Sequence, residues 1–164
     1  WQQRDMNDSF APLHMLDRKL VDGLYVDAMV LADEARSYFD DRAEEHRDAL
    51  DRVARVEFAC ESLKVTTRLM HVIAWLLTQR AIFNGEMAES VREDERYRLG
   101  PAAATVPGAT ARFSEEMTEL IAGSEDLYDR VARLERQLLA RGSRPMAMPL
   151  SPAHDLLNRL ERAF

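Results

Sequence analysis

The sequence predicts an all-α fold: an antiparallel bundle of three long helices, with a flexible C-terminal tail. Three observations predict it. No stretch keeps the period-2 alternation of a half-buried strand. Apolar residues recur instead at spacings of three and four through three long segments. Gly and Pro cluster in a few places between those segments, where a helical chain needs its breaks. The 164 residues suffice for one domain with a real core. The expected organisation is a disordered lead over 1–11, the bundle over 12–141, and a linker with a short amphipathic tail over 142–164.

The first helix is expected from Pro12, with Asp8 or Ser9 as its cap, to about Phe39. Its stripe is Leu13, Leu16, Leu20, Leu24, Ala28, Leu31, Ala35 and Tyr38, widened by Val21, Tyr25, Met29 and Ala32. Gly23 lies inside it at a cost of about 1 kcal/mol relative to Ala, which close approach of a neighbouring helix would explain. Residues 40–47 are polar apart from Ala43 and make the turn.

The second helix should run from about Asp48 to Asn84, about 54 Å, with Gly85 as its stop. It is apolar on two faces. One carries Val56, Cys60, Leu63, Thr67, Met70, Ala74, Leu77 and Ala81; the other carries Phe58, Val65, Leu69, Val72, Leu76 and Phe83. A surface helix needs one apolar stripe, so a second stripe means that both sides are covered. Either the helix is central in a monomeric bundle, or one face meets the bundle and the other a second copy. The expected core is Leu16, Leu20, Leu24, Leu31, Leu63, Met70, Leu77, Met117, Leu120, Leu127 and Leu134. The candidate dimer interface is Phe58, Val65, Leu69, Val72 and Leu76.

Residues 86–98 suggest a short amphipathic helix and then a charged strip. Residues 99–111 hold two prolines and two glycines and form an irregular connection. The third helix starts near Ala111, capped by Thr110 or Ser114. Its stripe of Phe113, Met117, Leu120, Ser124, Leu127, Val131, Leu134 and Leu138 is a heptad seam. Gly142 ends it. The segment from Pro152 to Phe164 could form a helix with Leu156, Leu157, Leu160 and Phe164 on one side; three turns alone are marginal in water.

The net charge of −7 argues against binding driven by nucleic-acid phosphates. The charge is uneven: residues 1–129 hold 26 acidic and 15 basic side chains, whereas 130–164 hold 3 and 7. That bias is either helix-end complementation or a basic tail for an acidic partner. The lone Cys60 allows no intramolecular disulfide and suits a buried apolar site. The chain opens on Trp1 rather than Met, so its start is read as trimmed. No signal peptide is visible and the run Leu69–Leu77 is too short to span a bilayer, so the expected setting is cytoplasmic, with recruitment to a cell pole open.

No catalytic pattern emerges. His14, His46, His71 and His154 sit on separate segments without the Glu-x-x-His spacing of helical metal sites. There is no zinc spacing, phosphate loop, dinucleotide fingerprint or nucleophile elbow. No catalytic, cofactor or metal residue is therefore assigned. The polar edge of the second helix carries Glu57, Glu61, Lys64, Arg68 and Gln79 with Trp75 among them. It is either a solvated, mutually paired edge or an interface in which Arg68 and Trp75 anchor a partner. Thr66 and Thr67 should bond back to helix carbonyls.

One string goes further. Residues 61–70 (ESLKVTTRLM), then Trp75-Leu76-Leu77, Gln79-Arg80-Ala81 and Gly85-Glu86-Met87, closely resemble the RcdA family, the regulators of CtrA degradation. Leu24 to Phe39 is similar too; the resemblance spans roughly 20–99, weakens over the third helix and is absent from the tail. It implies a dimeric three-helix bundle without catalysis. It also implies an adaptor role in proteolysis by ClpXP, once CpdR has primed ClpX. The partners would be protein substrates, CtrA among them, and a PopA-like further adaptor. A C-terminal working segment falls here on 142–164, with Leu156, Leu157 and Leu160 as candidate contacts. The rival readings are a scaffolding or polar-localisation protein, and a helical ligand-binding or redox module.

Overall fold

The computed structural model describes residues 11–142 of the chain. Most of the expected lead, and the tail with Leu156, Leu157 and Leu160, lie outside the described residues. Three long helices form the body: α1 (Ala11–Asp41), α3 (Arg52–Phe83) and α4 (Glu115–Gly142), with a short α2 (Ala43–Asp48) in the first turn. No strand occurs among the described residues. The expected helix within 86–98 does not form. Two single 3-10 turns, Glu89–Glu93 and Glu95–Tyr97, stand in its place.

The helix ends follow local chemistry. Asp51 caps α3 by accepting from the Ala54 N–H at 2.9 Å, three residues later than the expected start. At the other end Gly85 takes φ +76°, its N–H bonds Ile82 O, and the Glu86 N–H bonds Ala81 O. This paired arrangement satisfies two carbonyls that the helix leaves open. Ser114, one of the two expected caps, accepts from the Met117 N–H at 3.3 Å.

Helix directions follow from the cross-links. α1 is antiparallel to α3, with Arg18 on Asn84 and Arg80 on Asp22. It is antiparallel to α4, with Asp17 on Arg141 and Asp27 on Arg130. α3 and α4, however, run parallel: Phe58 meets Phe113, Arg68 meets Ser124, and Trp75 meets Glu135. Residues 84–114 permit this because they return along the whole bundle before α4 begins.

The α4 seam is buried as expected, from Met117 to Leu138, with Phe113 half-buried. On α3 the two faces are exchanged. Phe58, Val65, Leu69, Val72 and Leu76, expected at a dimer interface, are core residues of the single chain. Leu63, Met70 and Leu77, expected in the core, are 68%, 60% and 46% exposed. Cys60 is also exposed rather than buried. Both stripes keep the helical period, so periodicity could not rank them. α1 and α4 pack on the bulkier, better-filled side.

On α1 the core line is Asp17, Val21, Leu24, Ala28, Ala35 and Tyr38, with Leu31 beside it. Leu13, Leu16 and Leu20 are exposed, against expectation. Steps of four residues from 16 to 28 rotate about 120° around the helix, which carries Leu16 and Leu20 off the seam. Nothing approaches within 4 Å of a side chain placed at Gly23, so close helix approach does not explain that glycine.

Candidate functional site

The polar edge of α3 is neither solvated nor an open anchor. Residues 98–105 lie across it and bind it to α4. Arg68, 2% exposed, donates to Ala103 O (2.7 Å), Thr105 Oγ1 (3.1 Å), Glu125 Oε1 (3.1 Å) and Ser124 Oγ (3.2 Å). A buried guanidinium demands such a full set of acceptors. The Trp75 indole N–H donates to Glu135 Oε1 at 3.1 Å; the same oxygen accepts from Arg98 Nε and the Leu99 N–H. Lys64 bridges Glu61 (2.7 Å) and Ala104 O (2.9 Å). Tyr128 donates to Gly100 O at 2.7 Å. Arg68 and Trp75, expected as partner anchors, are therefore spent inside the protomer as the clasp of this strap.

Charge states in the clasp follow from these contacts. Burial pushes the Glu125 carboxyl up, but hydrogen bonds from Thr105 and the Arg68 and Lys64 charges outweigh it and hold the group below its ordinary value. Burial lowers Arg92, whose Nε donates to Gln79 at 2.8 Å and whose guanidinium lies over Phe83. Burial raises Tyr38, at the other end of the bundle, where its hydroxyl sits between His46 and Ser114. Sequence reasoning missed Glu125, Glu135, Thr105 and Tyr128. The available signal was that a buried Arg and a buried Trp each need an acceptor.

Among the described residues, nothing covers two apolar surfaces that matter here. The first is the outer face of α3: Val53, Val56, Cys60, Leu63, Thr67, Met70, Ala74 and Leu77. Its spacing alternates three and four, as in a coiled-coil seam. Large residues stand at 56, 63, 70 and 77, and small ones at 60, 67, 74 and 81. The second is an open groove of about 420 Å³ between α1 and α4, lined by Leu20, Gly23, Leu24 and Leu134 and rimmed by Lys19, Arg130 and Arg133. Among the described residues, no three His, Cys, Asp or Glu side chains converge as metal ligands, and no helix is long and apolar enough to cross a membrane.

A family profile described as "Protein of unknown function (DUF1465)" matches residues 13–164. This is the family of RcdA. Among solved structures, the chain is similar to the crystal structure of RcdA from Caulobacter crescentus CB15. The two are 33% identical, with a TM-score of 0.59, over 73% of this chain and 90% of that one.

The chain belongs to the RcdA family.

No curated protein matches it. The residues that carry the sequence resemblance to RcdA can now be placed. Lys64, Arg68 and Trp75 form the clasp; Arg80 bonds Asp22 at 3.0 Å and covers the Tyr25 ring; Gly85 stops α3. Thr66 and Thr67 bond back to Ser62 O and Leu63 O, as expected. The recognisable RcdA words thus build the protomer, while Leu63, Met70 and Leu77, interleaved among them, face outward.

Proposed function

We propose that this protein is a non-enzymatic, dimeric adaptor in regulated proteolysis, tethering substrates or a further PopA-like adaptor to CpdR-primed ClpXP, with CtrA among the cargo. Membership of the RcdA family supports the role. The observation that carries the dimer is the uncovered α3 seam. In an antiparallel pair of seams centred between Thr67 and Met70, Val56 faces Ala81 of the second copy, Cys60 faces Leu77, Leu63 faces Ala74, and Thr67 faces Met70. Every facing pair sets a large residue against a small one. Knobs fill holes, and the helices approach closely. A two-fold axis repeats each pair, as a closed dimer requires. The dimer interface is thus Val56, Leu63, Met70 and Leu77, in place of the stripe first expected.

Surface docking suits an adaptor, which raises the local concentration of substrate at the protease. The test is a degradation assay with purified ClpXP and CpdR, with and without this protein, on candidate substrates including CtrA with PopA and cyclic di-GMP. Acceleration that needs both CpdR and this chain is the expected result. No acceleration of any candidate by folded, dimeric protein refutes the adaptor role and leaves scaffolding.

A further inference from the structure

We propose that the α1–α4 groove is the seat of the chain's own segment 152–164, docked in cis. Gly23 lines the groove, and no atom lies within 4 Å of where a Cβ would stand. A glycine in mid-helix costs about 1 kcal/mol relative to Ala, and nothing among the described residues uses the space it leaves. Leu13, Leu16 and Leu20 stand exposed in line with Gly23 along α1. They lead from the groove toward the end of α4, where Asp17 pairs with Arg141. The chain therefore leaves Gly142 beside an uncovered row of leucines.

The reach is sufficient. The linker 143–151 is nine residues and spans up to about 30 Å extended. The groove residues Leu134 and Arg130 lie only about 12–18 Å back along α4 from Gly142. The apolar surfaces match. Written as a helix, 152–164 puts Leu156, Leu157, Leu160 and Phe164 on one face, with Glu161 and Arg159 toward its two edges and Asp155 and Arg162 opposite. The groove offers Leu20, Leu24 and Leu134 inside a rim of Lys19, Asp27, Arg130 and Arg133. Of that rim, Lys19 and Arg133 have no carboxylate within 4 Å among the described residues, whereas Arg130 holds Asp27. The linker also supplies affinity: at an effective concentration of roughly millimolar, a contact of only about 0.1 mM affinity is about nine-tenths closed. On the adaptor reading, Leu156, Leu157 and Leu160 then reach a partner only after leaving the groove; the docking itself does not depend on that reading.

The experiment is amide hydrogen exchange on the full chain, over a dilution series spanning the dimer–monomer transition. Residues 153–164 are expected to exchange about tenfold slower than an unstructured chain, at every dilution. Gly23→Leu fills the groove with a better helix former and should return them to unstructured rates while the Leu76 amide stays protected. Leu157→Ser with Leu160→Ser, which leaves every bundle residue unchanged, should do the same. Unstructured rates in the native sequence overturn the proposal. So does protection that survives both variants. Protection lost on dilution in step with the dimer also overturns it, and assigns the groove to the tail of a second copy.

Discussion

Leu76 and Leu77 are consecutive, chemically identical and on the same helix, yet truncating each to Ala should have different consequences. Leu76 is fully buried, whereas Leu77 is 46% exposed. Leu76→Ala removes three carbon groups from the core, worth about 2.4 kcal/mol in transfer at about 0.8 each. The cavity left among Val72, Trp75 and the α4 seam adds to this, for a total of about 3–4 kcal/mol. In a chain of this size that lowers Tm by roughly 10 °C. Leu77→Ala costs the single chain at most about 1 kcal/mol, because about half of that surface is already in water. Its larger effect should be on self-association, since in the proposed dimer Leu77 packs against Cys60 of the second copy. Urea denaturation at a concentration where the protein is monomeric isolates the first effect, and sedimentation at higher concentration reads the second. Equal losses in the monomeric protein refute the assignment of the two faces. A large loss at Leu77 with none at Leu76 restores the original one.

The seam register is tested by cysteine chemistry. Leu77→Cys should oxidise readily to a covalent dimer through Cys60 of the other copy, whereas efficient Cys60–Cys60 coupling in the native chain would refute this register. Leu69→Asp should unfold the protomer and Leu63→Asp should give a folded monomer; a folded monomer from Leu69→Asp removes that residue from the core. Arg68→Ala leaves two strap acceptors without their donor, and should cost about 2–3 kcal/mol with loss of exchange protection over 98–105. Unchanged stability with lost substrate delivery would return Arg68 to the surface. The Glu125 carboxyl is lowered on folding. Its contribution is therefore full above the ordinary value near 4.5 and is lost as pH falls through the lower folded value. Protection of the Thr105 amide should fall in that acid window and lose the step in Glu125→Gln; a pH-independent amide contradicts the clasp.

The sequence by itself determined what local chemistry controls. The three long helices, the Gly85 stop, the Ser114 cap and the α4 heptad were legible because each depends on neighbours within one or two turns. The two apolar faces of α3 were legible as well. Which face is the core was decided only by tertiary structure, since both stripes satisfy the same period. The same holds for Arg68 and Trp75. Their residue types suit a hot spot and a buried clasp equally well, and the returning strap 98–105 made the choice: it gives Arg68 acceptors from more than thirty residues away in sequence, and it donates to the same Glu135 carboxylate of α4 that accepts from Trp75. It also held α4 parallel to α3. Periodicity is a property of one helix, whereas burial belongs to whichever surfaces the connections bring together.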